Sequence, residues 1–103
     1  MHALNCVVIV SFGDKVTRDV FDGTDSKEAR SIPKQIWGVA FRKLDMLDAA
    51  VRLDDLRSPP ANRLEKLKGK LAGYFSIRVN DQYRIVFKFA DGNAEDVRIV
   101  DYH

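Results

Sequence analysis

Cysteine and histidine are scarce in this 103-residue chain, with one of the first, Cys6, and two of the second, His2 and His103. A lone thiol makes no intrachain disulfide, and with two imidazoles at most to help it, it completes no zinc site. No metal and no cofactor are therefore expected, and a reducing, cytoplasmic setting is. Long apolar runs are also missing. The longest, Cys6 to Val10, is far short of the roughly 20 residues that a membrane span needs, and no basic leader or small-residue cleavage site surrounds it. No repeat and no low-complexity tract occurs. The composition, 46% hydrophobic and 31% charged, is that of one soluble globular domain covering residues 1–103. A chain this small buries only about 60–65% of its unfolded surface, so function is expected on a surface or in a shallow cleft.

Net charge is low as well, at +2, and on its own does not point to nucleic acid. Its distribution does. Residues 1–61 carry nine basic and nine acidic side chains, whereas residues 62–88 carry seven basic ones (Arg63, Lys66, Lys68, Lys70, Arg78, Arg84 and Lys88) against Glu65 and Asp81. Residues 89–103 are acidic, with Asp91, Glu95, Asp96 and Asp101 against Arg98.

The hydrophobic pattern divides the chain in the same way. Asn5 to Phe12 reads as a short strand. Asp14 to Phe21, with an acidic start, Val16 and Val20 four apart and Gly23 beyond, reads as a two-turn helix. From Pro33 a longer helix is expected, since Ile36, Ala40, Leu44, Leu47 and Val51 recur at spacings of four and three. Trp37 and Phe41 widen that stripe, which leaves Lys34, Arg42, Lys43, Asp45 and Asp48 as the solvated side. Pro59 and Pro60 end any helix. Leu64 and Leu67 anchor a turn or short helix, and Asp54 and Asp55 read as a solvated turn.

From Gly73 the period becomes two. Phe75, Ile77 and Val79 alternate with polar neighbours, as do Tyr83, Ile85 and Phe87, and a third strand follows the Asp91-Gly92 turn from Val97 to Tyr102. A two-residue loop at Asn80-Asp81 would set Ile77 against Arg84 and mix the two faces. A three-residue loop, Asn80-Asp81-Gln82, instead pairs Val79 with Tyr83, Ile77 with Ile85 and Phe75 with Phe87. It also sets Arg78 opposite Arg84. Like charges so placed repel, which suggests an anion between them.

Clustered Arg and Lys near an aromatic suit phosphate and base: guanidinium forks bind oxygens in pairs, and tyrosines such as Tyr74 and Tyr83 stack. The same charges also suit an ordinary solvated sheet face. At the chain end, Asp101, Tyr102 and His103 gather a carboxylate, a phenol and an imidazole, and the imidazole titrates near neutrality. Glu65, alone among cations, is a candidate general base, and Lys68 beside Gly69 a candidate phosphate clamp.

These residues are shared with a known family. Leu56-Arg57-Ser58-Pro59-Pro60-Ala61-Asn62-Arg63-Leu64, Leu67-Lys68-Gly69, the run from Gly73 to Ile85 and the closing Val100-Asp101-Tyr102-His103 strongly resemble the HigB branch of the RelE-type toxins, as does Arg42 to Ala50 in the long helix. The resemblance runs from about Val8 to the end, so residues 1–7 exceed the family's usual start. It implies an α+β, microbial-RNase-like fold with two N-terminal helices packed on a small antiparallel sheet. It also implies ribosome-dependent cleavage of mRNA in the A site and neutralisation by a helix-turn-helix antitoxin of the HigA type. The family's loop lysine falls on Lys68, its sheet arginine on Arg84, and its terminal triplet on Asp101, Tyr102 and His103. Two positions depart from the pattern. Glu65 stands where the best-known member has histidine, and Leu71 where relatives usually have arginine, a contact that Lys70 supplies in part.

The expected chemistry is metal-independent attack of the RNA's 2′-hydroxyl on the adjacent phosphorus. Lys68, Arg84 and a supporting Arg78 would stabilise the phosphoryl charge, Glu65 or His103 would take the 2′ proton, and His103 or Tyr102 would protonate the leaving oxygen. Arg63, Lys66, Lys70, Tyr74, Arg78 and Lys88 would bind RNA, with Asp101 in support. Two other readings remain at this point: a non-catalytic RNA-binding module, and a gyrase-poisoning toxin of the ParE type.

Overall fold

Asp14 starts the first helix through its side chain, which accepts a hydrogen bond from the Thr17 N–H at 2.9 Å. Helix α1, Lys15–Asp22, then ends on Gly23 in the left-handed region. The structure, a computed structural model, describes residues 8–102. Cys6 and His103 lie outside them. Helix α2, Trp37–Ala49, comes after a 3-10 turn over Lys34–Ile36 and buries Ala40, Leu44 and Leu47. Two residues of the expected stripe are exposed. Val51 is 72% exposed because the helix ends at Ala49 and the extended Ala50 swings the chain off the apolar face. Phe41, 42% exposed, stacks on Phe21 at the surface with ring centroids 5.7 Å apart.

The sheet is an antiparallel meander of β1 (Glu65–Lys66), β2 (Tyr74–Arg78), β3 (Tyr83–Ala90) and β4 (Asn93–Asp101), in that spatial order. Both helices precede it in the chain, as expected. The β2–β3 register is the one required by a three-residue loop, with Phe75 opposite Phe87, Ile77 opposite Ile85 and Arg78 opposite Arg84. Asn80 shapes that loop by accepting from the N–H groups of Gln82 and Tyr83 at 2.9 and 2.7 Å. At the next turn Asp91 and Gly92 both have positive φ, 55° and 77°, the two-residue geometry that matches strand twist and that glycine adopts without a Cβ penalty.

Two expected elements are corrected by the structure. The chain around Leu64 and Leu67 is no helix but the edge strand β1, fixed by the Leu67 N–H donating to the Tyr74 carbonyl at 2.9 Å. The first segment is not a full strand either. Its described part, from Val8, lies parallel to β4 through bridges of Ile9 with Ala94 and Phe12 with Val97. Asp48 explains the short pairing: its Oδ1 takes the N–H groups of Val8 and Ile9 at 3.0 and 2.9 Å, so this carboxylate is not on a solvated side. Gly13 closes the segment, and a Cβ there would stand 2.2 Å from the Asp96 Oδ1 and 2.4 Å from the Arg98 Cγ. Beyond it α1 takes over the edge of β4. The buried Thr17 hydroxyl accepts from the Ile99 N–H at 2.8 Å, which satisfies a backbone donor that no strand reaches.

The helices cover one face of the sheet. Ile77, Ile85, Phe87, Val97 and Ile99 pack there with Val20, Leu44, Leu47 and Leu56. Val97 and Ile99 thereby decide which side of the last strand is inside, a point periodicity alone leaves open. The other face carries Glu65, Tyr74, Ser76, Arg78, Arg84, Val86, Lys88, Arg98 and Tyr102, by their register. Among the described residues no helix is long and apolar enough to cross a membrane.

Candidate active site

On the open face of the sheet the facing arginines are handled separately. Arg78 pairs through Nη2 with Asp81 of the hairpin loop. Arg84 turns inward and is only 7% exposed. A guanidinium out of water needs acceptors for its N–H groups. Arg84 Nε donates to the Ser76 hydroxyl at 2.8 Å and Nη2 to the Arg63 carbonyl at 2.6 Å, with the Ser76 carbonyl at 3.5 Å. The Glu65 carboxylate stands 3.8 Å away. Most of these partners are neutral, so the fork is oriented while much of its charge is left uncompensated. These bonds use Nε and Nη2 of the fork.

The Arg63 carbonyl is delivered by an unusual piece of chain. After the turn Pro60–Asn62, Arg63 takes a left-handed conformation, φ 46° and ψ 57°, which non-glycine residues adopt at a cost. Asn62, fully buried, holds that turn: its amide donates to the Leu56 carbonyl at 3.1 Å and the Ser58 carbonyl at 3.4 Å, and its Oδ1 accepts from Lys43 Nζ at 2.6 Å. Burial, with the positive charges of Arg42 and Arg78, pushes the Lys43 ammonium below its ordinary range. Sequence reasoning passed over Asn62 and placed Lys43 on a solvated side. The one signal for both is the Pro59-Pro60-Ala61-Asn62 run immediately before the basic stretch.

Between these groups opens a cleft of about 470 Å³, bounded by Arg63, Glu65, Arg78, Asp81, Arg84 and Tyr102, with Ala61 and Asn80 completing its wall. Tyr102 stands at its mouth, 43% exposed, with its ring centroid 5.6 Å from the Arg84 guanidinium carbon. Its N–H donates to the Gln82 carbonyl at 2.6 Å, and Gln82 Nε2 donates to Asp101 at 3.1 Å, so the end of β4 is tied to the β2–β3 loop. Of the residues expected in the site, Glu65, Arg63, Arg78, Arg84 and Tyr102 therefore converge, and Asp101 braces them.

Others lie elsewhere. Lys66, Lys68 and Lys70 are exposed on and just after β1 and do not line the cleft. Tyr74 and Lys88 occupy the far end of the same sheet face. Tyr74 reaches across β3 to donate its hydroxyl to Asp96 of β4 at 2.5 Å, and Lys88 and Arg98 stand 5.1 and 5.7 Å from its ring centroid. The bond to Asp96, together with partial burial, pushes the Tyr74 phenol above its ordinary value. Among the described residues no three His, Cys, Asp or Glu side chains gather as metal ligands.

Solved structures share this architecture. The chain is similar to a chain of the YoeB–YefM complex from Staphylococcus aureus, with a TM-score of 0.52 at 22% identity over 99% of both chains. The YoeB dimer from the same organism gives 0.53 at 23% identity, over 96% of this chain and 99% of that one. The fold is thus that of these structures. A family model for the RelE-like toxin HigB of type II toxin-antitoxin systems matches residues 10–103, and the chain belongs to that family. Toxin HigB-1 of Vibrio cholerae serotype O1 is 48% identical over 85 residues, which are 82% of this chain and 87% of that protein. Endoribonuclease HigB of Proteus vulgaris is 36% identical over 61 residues, 59% of this chain and 65% of that one.

Proposed function

We propose that the protein is a metal-independent endoribonuclease that cuts mRNA in the ribosomal A site and thereby arrests growth. The observation that carries this reading is Arg84, a buried guanidinium held by fixed oxygens at the floor of a cleft with a carboxylate, Glu65, on one side and a phenol, Tyr102, at the mouth. In the proposed reaction the 2′-hydroxyl of the RNA gives its proton to Glu65 or His103 as its oxygen bonds to phosphorus. The bond from phosphorus to the 5′-oxygen breaks, and that oxygen takes a proton from Tyr102 or His103. The products are a 2′,3′-cyclic phosphate and a 5′-hydroxyl. Arg84, with Arg78 across the cleft, stabilises the charge on the non-bridging oxygens, an effect worth on the order of 10²- to 10³-fold per donor in comparable sites. Lys68, exposed outside the cleft on the turn after β1, reaches the phosphate only when RNA is bound across that edge.

Arg63, Lys66, Lys70, Tyr74 and Lys88 supply the wider cationic and aromatic surface for the strand, and Asp101 orients the chain end. With so few acid-base groups, orientation of the substrate by the ribosome completes the catalyst. The toxin acts in the cytoplasm and is held inactive by a helix-turn-helix antitoxin of the HigA type.

The test is to pulse expression of the wild-type chain and of Arg84→Ala and to map mRNA ends by primer extension. New 5′ ends within translated codons, absent for Arg84→Ala, are expected. Growth arrest with no new ends would overturn the reading, and so would full cleavage by Arg84→Ala.

A further inference from the structure

The guanidinium of Arg84 is oriented by a carbonyl that belongs to a strained residue, and that residue is held in turn by groups far from the cleft in sequence. Arg63 lies between the fork and a buried side chain, Asn62, whose four side-chain partners come from two directions, its own loop (Leu56 and Ser58) and helix α2 (Lys43 and Met46). Its amide reaches down to the Leu56 and Ser58 carbonyls of its own loop, while its Oδ1 receives Lys43 Nζ from helix α2 at 2.6 Å. The backbone of the same turn is closed by the Asn62 N–H donating to the Pro59 carbonyl at 2.9 Å and the Arg63 N–H to the Pro60 carbonyl at 3.0 Å.

This arrangement is more than loop closure. A half-buried lysine whose ammonium sits on a neutral amide, disfavoured by burial and by Arg42 and Arg78, fills that space at some cost. A leucine or methionine there would pack without that cost. What the ammonium adds is direction. It fixes which way the Asn62 amide points: the oxygen takes the charged donor, and the nitrogen is left for the Leu56 and Ser58 carbonyls, with the Met46 Sδ of α2 at 3.8 Å. The amide in turn fixes the left-handed Arg63, whose carbonyl sets the plane of the Arg84 fork. Helix α2, packed on the far side of the sheet from the cleft, is thereby linked to the phosphate-binding group through Lys43, Asn62 and Arg63.

We propose that Lys43 and Asn62 are a positioning pair for Arg84, setting the guanidinium in the plane that meets the transition-state phosphoryl group. The proposal rests on the reading of Arg84 given above. Neither residue touches substrate, so their removal lowers the maximal rate of cleavage more than it weakens binding. A displacement of about 1 Å at a reacting group costs on the order of 10²-fold in rate.

The experiment measures single-turnover cleavage of an mRNA on purified programmed ribosomes for Asn62→Ala, Lys43→Met and Lys43→Arg. Each is made alone and in an Arg84→Lys background that has no fork to position. Alongside, the side-chain Nε–H resonance of Arg84 is recorded by nuclear magnetic resonance. Expected are a loss on the order of 10²-fold in maximal rate for Asn62→Ala, a smaller loss for Lys43→Met, and near-parental rates for Lys43→Arg, which keeps a donor. Half-saturating concentrations should change little. In the Arg84→Lys background the same changes should have no further effect, because the coupled residues act as one unit. The Arg84 resonance should shift or broaden in Asn62→Ala and Lys43→Met.

Losses that multiply with that of Arg84→Lys would show a merely structural role and overturn the pairing while leaving the catalytic reading intact. So would parental rates and an unmoved Arg84 resonance in Lys43→Met, a half-buried site whose change leaves the backbone of the turn in place should Asn62→Ala fail to fold. Full activity of Arg84→Lys alone would instead remove the catalytic reading, and the pairing with it.

Discussion

Arg84 Nη2 and the carbonyl of Arg63 are 2.6 Å apart, so a residue expected to bind RNA through its side chain contributes to the cleft through its backbone. The Arg63 side chain remains exposed beside the fork that its carbonyl orients.

Lysine at position 84 keeps the charge and loses the geometry. One ammonium cannot hold Ser76 and Arg63 at the spacing of Nε and Nη2 while presenting a further edge to phosphate. Arg84→Lys is therefore expected to cut the maximal cleavage rate on the order of 10²- to 10³-fold. It should also destabilise the fold by about 1–3 kcal/mol through acceptors left unpaired. Single-turnover rates and urea unfolding check the two effects, and parental values in both would contradict them.

Glu65→Gln preserves shape and the contact distance to Arg84 but takes no proton. If Glu65 is the base, the maximal rate falls about 10²- to 10⁴-fold and half-saturation is little changed. A variant that cleaves at the parental rate would assign the 2′ proton to His103.

Tyr74 gives a pH prediction with a definite sign. Its bond to Asp96 raises the phenol above its ordinary 10.0, so the folded protein holds that proton more tightly than the unfolded chain does. The stabilisation is fully present below pH 10.0 and is lost as pH rises through the folded-state value. Ultraviolet titration should show Tyr74 ionising late. Tyr74→Phe should abolish the corresponding fall in stability at alkaline pH, and an unchanged alkaline profile in that variant would remove the Asp96 bond as its cause.

Thr17→Val tests the closure of the β4 edge. Valine fills the same space without an acceptor for the Ile99 N–H, and leaving that buried donor unpaired costs about 1–3 kcal/mol. Hydrogen exchange at Ile99 should accelerate, while cleavage per folded molecule should be unaffected because Thr17 lies off the cleft.

The hairpin was legible in the sequence because one loop length alone keeps Phe75, Ile77 and Val79 on the same face as Tyr83, Ile85 and Phe87. The same alternation put Arg78 and Arg84 together on the open face, and there it stopped. Period two separates the sides of a sheet but cannot tell that Ser76, Val86 and Arg84 on the open side are buried, or that the Arg63 turn brings a carbonyl to Arg84. Strand β1 itself gives little signal, since it is a Glu-Lys pair paired to β2 at Ser76 and Phe75. Asp48 read as solvated because its two N–H partners lie about forty positions away. Asn62 looked like an ordinary polar loop residue for the same reason: its burial comes from a helix that ends well before it. The cluster of cations that marked the site was visible as charge; the neutral oxygens that organise it were not.

Those neutral oxygens decide how the cleft responds to ionic strength. An arginine oriented by carboxylates loosens as counterions screen them, but carbonyl and hydroxyl partners carry no net charge to screen. Added potassium chloride should therefore weaken the approach of RNA to the lysines around β1 and raise the half-saturating concentration. The maximal rate, set by a fork that dissolved ions do not release, should stay nearly flat over the same range.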